Sequence, residues 1–186
     1  MYGMVNQGIR TFISDNHGPE MWAAICADAG ISTDEFESTH VYDDAVTYSL
    51  VGSISKCLEL DPTTVLEVFG KYWTDFAVET PIGKLIHFGG DNLVDVLDNL
   101  DDLHSRVNMS MPDLRPPSFD LEDVAENTYL LHYYSDREGL APMVIGLVQG
   151  LADQFNQKVD VKQVDCRSKG ADHDTFELVI HEPSND

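Results

Sequence analysis

The sequence predicts an α+β fold, with helices first and an antiparallel sheet last. Three observations carry this expectation. Apolar residues recur at helical spacing through the first two thirds, three prolines fall within residues 112–117, and the last third alternates β-branched and aromatic residues with polar ones. The helical part is expected to pack on the C-terminal sheet.

Each element has its own signal. "MVNQGIRTFISDN" sets Val5, Ile9, Phe12 and Ile13 on one helical face, and "GPEMWAAICADAG" opens with Pro19 in a first turn and stops at Gly30. A third helix is expected over residues 44–59. A fourth opens at "DPTTVLEVFGKYW", with Asp61 as cap and Pro62 in the first turn. "GGDNLVDVLDNLDDLHSRV" reads as one helix capped by Asp91, its stripe formed by Leu93, Leu97, Leu100, His104 and Val107. The prolines of "MPDLRPPSF" then end helical structure. "NTYLLHYYSDR", "QKVDVKQVDC" and "DTFELVIH" read as strands, with the helix "LAPMVIGLVQGLADQF" and the turn "RSKGAD" between them.

At 186 residues, with no linker or repeat, one domain over residues 1–182 and a short tail at 183–186 are expected. The net charge of −22 arises from 33 acids against 11 bases. Such a field repels phosphate backbones and anionic lipid, so neither nucleic acid nor membrane is an expected partner. Residues 1–20 lack a signal-peptide pattern and runs such as "VIGLV" are too short to span a bilayer, so a cytoplasmic protein is expected. Cys26, Cys57 and Cys166 are odd in number and far apart, which argues for free thiols near the core.

Two patterns point to chemistry. In "LHYYSDREG", strand alternation turns Tyr133, Ser135 and Arg137 to one side in steps of about 7 Å, two hydroxyls and a guanidinium suited to an anion. An exposed strand face is the plain alternative. His104 lies on an apolar stripe, where a histidine is most often a core residue with satisfied nitrogens. No second His or Cys sits at i+3 or i+4 to complete a metal cage, so a metal on His104 needs a cofactor's own ligands. Haem meets both requirements, since it needs one axial imidazole and cationic or hydroxyl partners for its two propionates. "FGGDN" lacks a nucleotide-binding pattern, the acids Asp95, Asp98, Asp101 and Asp102 read as a solvated helix face, and His173 in "ADHDTF" reads as a hydrogen-bonded turn.

With His104 and Tyr133-x-Ser135-x-Arg137 in view, the chain resembles the haem nitric oxide/oxygen-binding (H-NOX) domains, including the haem domain of the soluble guanylate cyclase beta subunit and stand-alone bacterial relatives. The resemblance runs nearly end to end through "MYGMVN", "VYDDAVTY", "VFGKYW", "NLDDLHSRV", "RPPSF", "LHYYSDREGL" and "GADHDTF". It implies haem b (iron protoporphyrin IX) buried between helices and sheet. By the same resemblance His104 is the iron ligand, Tyr133, Ser135 and Arg137 form the propionate clamp, and Pro116 is the proline that bends the macrocycle. Trp73 and Met143 match distal-pocket positions. Relatives that hold O2 carry a distal tyrosine, whereas residues 139–147 here contain no tyrosine, serine or threonine.

The resemblance therefore implies a gas sensor for NO and CO with weak or no O2 binding, and not an enzyme. It implies that NO binds trans to His104, weakens the His–iron bond and frees the helix. Signalling is then expected to reach a separate effector such as a histidine kinase, a cyclic-nucleotide enzyme or a chemotaxis protein. Two alternatives stay open: a haem-dependent enzyme, peroxidase-like or NO-consuming, which needs a distal acid–base pair, and an apolar-ligand binder whose Arg137 holds a carboxylate.

Overall fold

The computed structural model describes residues 1–31, 35–80 and 89–181; the tail expected at 183–186 lies outside them. The chain divides into two compact units, Met1–Phe69 and Gly70–Asp186, and the division falls inside one helix.

The first unit is helical. It contains α1 (Gly3–His17), α2 (Pro19–Ala29), α3 (Asp44–Leu58) and the opening turns of α4 (Pro62–Val78). The expected signals operate: Pro19 starts α2, and Gly30 ends it in the left-handed conformation that a residue without Cβ adopts cheaply. Asp43 caps α3 through the Ala45 N–H, and the Asp61 carboxylate accepts from the Thr63 N–H at 2.8 Å at the start of α4. Ile9, Ile13, Ile25, Leu50 and Ile54 are buried. Among them the Thr47 hydroxyl donates to Asn6 Oδ1 at 2.8 Å.

The second unit is α+β. After the rest of α4 come α5 (Leu93–Asp98), α6 (Leu100–Ser110), β1 (Ser118–Ala125), β2 (Thr128–Tyr134), α7 (Ala141–Gln154), β3 (Lys158–Asp165), a 3-10 turn (Arg167–Lys169) and β4 (Asp174–His181). The sheet is antiparallel throughout, in the order β1-β2-β4-β3. β2 and β4 are the inner strands. Their inward side chains Leu131, Tyr133, Phe176, Leu178 and Ile180 form one core with Val144, Val148 and Leu151 of α7 and Leu93, Val96 and Leu97 of α5.

The structure departs from three expectations. The helix expected from residue 91 to 107 is two helices, because the Asn99 side-chain amide turns back to the carbonyls of Gly89 and Asp95, both at 2.9 Å, and competes with regular winding. Its cap is Asn92, whose side chain accepts from the Asp95 N–H, rather than Asp91. The sheet also has a strand beyond the three expected, β1, which pairs Phe119 with Tyr133 and Leu121 with Leu131.

α4 and α7 approach each other closely at two glycines. A Cβ at Gly70 would overlap the Met143 carbonyl oxygen, and one at Gly150 would overlap the Thr74 hydroxyl and come within 2.9 Å of the Lys71 carbonyl. Backbone atoms cannot swing aside as a flexible side chain can. Gly70→Ala should therefore destabilise the protein by about 1–3 kcal/mol, while Gly52→Ala, with nothing within 4 Å in mid-helix, should be neutral or stabilise by up to about 1 kcal/mol. Urea midpoints of the two variants check the contrast.

Candidate functional site

Strand alternation brings Tyr133 to the inner face of β2, where it is buried beside Leu131. Its ring lies 5.4 Å from that of Phe119 on β1, and Phe119 in turn lies 5.9 Å from the imidazole of His104 on α6. Three rings from three elements thus form a continuous row. Phe119 was not among the expected site residues, although its alternation with Leu121 along "SFDLEDVA" was the available signal.

His104 turns inward from α6, one turn before the buried Val107. The residue as a whole is half-buried, but its Nδ1 is sealed from water and has no hydrogen-bond partner. Burial lowers its pKa, against the opposing pull of the Asp101 charge and the Pro117 backbone, so the neutral ring is favoured. A neutral imidazole is the form that ligates a metal. One turn earlier on α6, Asp101 accepts hydrogen bonds from the Ser118 hydroxyl and, at 2.9 Å, from the Phe119 N–H. Asp101 is therefore no mere member of a solvated acidic face: it joins the histidine helix to the first residues of β1.

The anion handle differs from its sequence reading in one respect. β2 ends at Tyr134, so Tyr133 alone lies on the strand, while Ser135 and Arg137 occupy the turn after it. There the Ser135 hydroxyl accepts from the Arg137 N–H at 3.1 Å, a local side-chain turn that replaces the next ladder bond. Arg137 Nη1 donates to the Arg115 carbonyl at 2.7 Å, immediately before the half-buried Pro116. The proline-rich turn is thus held at one end by Arg137 and at the other by α6 through Asp101. His104, Pro116, Tyr133, Ser135 and Arg137 belong to this single constellation.

Trp73 and Met143 belong to the α4–α7 crossing instead. Trp73 is half-buried against the core, 5.6 Å from Phe76, and Met143 is the residue whose carbonyl Gly70 admits. On the opposite face of the sheet, His173 behaves as its turn motif suggests, with Nε2 meeting Nδ1 of His132 at 2.8 Å. Among the described residues no three His, Cys, Asp or Glu side chains converge on a metal position. A metal at His104 would therefore take its remaining ligands from a cofactor, and a buried imidazole nitrogen without a partner, on a helix that the proline-rich turn joins to a guanidinium, fits the demands of haem.

The profile of the haem-NO-binding family matches residues 2–163. Soluble guanylate cyclase gcy-32 of Caenorhabditis elegans is 34% identical over 155 residues, which are 82% of this chain and 23% of that protein. Soluble guanylate cyclase gcy-35 of the same organism is 30% identical over 172 residues, 91% of this chain and 25% of that one. The chain thus spans about a quarter of the length of the curated relatives it matches. Among solved structures, an H-NOX protein from S. oneidensis in the Fe(II)NO ligation state superimposes with a TM-score of 0.89 at 20% identity, covering 98% of this chain and 100% of that one. Fe(II) unliganded H-NOX from K. algicida gives 0.86 at 18% identity, with both chains fully covered. From sequence and fold together, the chain belongs to the haem-NO-binding, or H-NOX, family of haem-based gas sensors.

Proposed function

We propose that this protein is a haem b sensor of NO and CO that binds O2 weakly or not at all, and that it signals to a separate effector rather than acting as an enzyme. The observation that carries this reading is the proline-rich turn held between Arg137 and the helix of His104, because it joins the candidate axial ligand to the candidate anion clamp. Bound haem would supply the iron at which the gas is taken up.

The chain's own residues would do the rest. His104 offers a neutral imidazole to the iron, and Arg137, Ser135 and Tyr133 offer donors to the propionates. Pro116 sits between residues fixed at both ends, so it is a stiff contact for the macrocycle. Any displacement of α6 at His104 must strain the Asp101 bonds to Ser118 and Phe119. That linkage supplies a two-state element which an effector can read, whether a histidine kinase, a cyclic-nucleotide enzyme or a chemotaxis protein.

Gas choice rests on the start of α7. From Gly139 to Leu147 there is no side-chain hydroxyl, and Met143 presents a thioether, so no donor from this stretch supports a polar dioxygen adduct. NO and CO depend far less on such a bond. A peroxidase-like enzyme needs a distal acid–base pair, and nothing in the α7 segment provides one.

The reduced protein should give NO and CO spectra and keep its ferrous spectrum in air, while Met143→Tyr should gain measurable O2 binding. A stable dioxygen spectrum of the wild type would contradict the selectivity. Arg137→Ala should release haem at least about tenfold faster, since charge-assisted bonds are worth about 1.5–3 kcal/mol each; transfer to excess apomyoglobin measures the rate, and a wild-type rate would remove Arg137 from the clamp.

A further inference from the structure

The chain has five arginines, and two of their guanidinium groups converge on residues 115–138 around one short turn. Arg137 is one of them. The other, Arg167, is remote in sequence and opens the 3-10 turn between β3 and β4. Its backbone is fixed first. The Arg167 N–H donates to Asp174 Oδ1 at 3.1 Å, and the same oxygen accepts from Gln163 Nε2 at 2.7 Å, so the turn is tied to the start of β4 and the end of β3.

From that fixed base the Arg167 side chain reaches the turn after β2. Nη1 donates to the Ser135 carbonyl, and Nη2 pairs with Glu138 Oε1 at 3.2 Å. Residues 135 and 138 bracket Arg137. With the Ser135 carbonyl held by Arg167 and the Ser135 hydroxyl accepting from the Arg137 N–H, the intervening backbone has little freedom left. A hydroxyl that accepts one hydrogen bond still has its own proton to donate.

We infer that Arg167 is a positioning residue for the haem clamp: it holds the 135–138 turn so that the Ser135 hydroxyl and the Arg137 guanidinium are presented to an anionic group before that group arrives. The inference rests on the clamp reading given above. Preorganisation matters here because a loose turn would have to be ordered when the cofactor binds, and that entropy would be subtracted from its affinity. In a chain of net charge −22, a turn flanked by Asp136 and Glu138 also gains from a cation that pairs with Glu138.

The test is a double-mutant cycle read out as haem transfer from the reduced holoprotein to excess apomyoglobin. Arg167→Met should speed haem loss about tenfold, the factor that 1.4 kcal/mol represents, and Arg167→Lys should recover part of the loss. Glu138→Gln, an exposed change that leaves the core untouched, should shift the rate in the same direction by a smaller factor. In the Arg137→Ala background, Arg167→Met should add a clearly smaller factor than in the wild type, because the Arg137 part of its effect is gone and only that through Ser135 is left. Amide hydrogen exchange across residues 135–139 of the apoprotein should quicken in Arg167→Met. If Arg137→Ala speeds haem loss and Arg167→Met does not, the positioning role is wrong and the clamp stands. If Arg167→Met has the same effect in both backgrounds, Arg167 is only a general staple and the inference is overturned. If neither variant moves the rate, the clamp reading fails and takes this inference with it.

Discussion

An imidazole nitrogen sealed from water without a hydrogen-bond partner costs a fold free energy, about 1–3 kcal/mol for a neutral polar group. At His104 that atom lies on a helix tied to the next strand by Asp101, in a row of rings that runs through Phe119 to Tyr133. Several neighbouring elements of the second unit meet at this constraint. α6 delivers the ring, β1 and β2 wall it with aromatics, and the proline-rich turn joins the helix to the guanidinium of Arg137. On the proposed reading a metal bond to the ring would offset that cost, and burial already favours the neutral ring such a bond needs.

The division of labour between strand and turn follows from the same geometry. A strand gives Tyr133 a rigid inward direction, because β2 is paired on both edges. A turn gives Ser135 and Arg137 freedom to face an anion, at the cost of needing anchors. Those anchors are the Arg115 carbonyl on one side and Arg167 on the other. Strong electrostatics at one turn is notable in so acidic a chain, since most of its carboxylates lie on exposed surface where ion pairs contribute little.

Much of this was legible in the sequence, for identifiable reasons. α2 and α4 announce their ends with Pro19, Gly30 and Asp61, and helical periodicity put His104 on the apolar stripe, while strand alternation grouped Tyr133 with Ser135 and Arg137 without saying which face is buried. What was hidden has physical causes. β1 is an edge strand with only Phe119 and Leu121 facing the core, so its acids masked the alternation. The break at Asn99 leaves the apolar stripe almost in phase, and a hydrophobic pattern is blind to a one-residue interruption. The end of β2 depends on the Ser135 hydroxyl capturing the Arg137 N–H, a bond that strand propensity does not report. Arg167 lies 32 residues beyond Ser135, with no local pattern linking the two.

His104 as the iron ligand is the role on which the proposed sensor depends. The most direct measurement is the absorption spectrum of reduced His104→Gly, purified with and without imidazole in the growth medium and buffer. The account predicts that without imidazole the Soret band is lost or changed from wild type, and that added imidazole restores a wild-type-like ferrous spectrum while no longer linking the cofactor to α6. A His104→Gly spectrum identical to wild type in the absence of imidazole would contradict it, because the iron would then be held by some other residue.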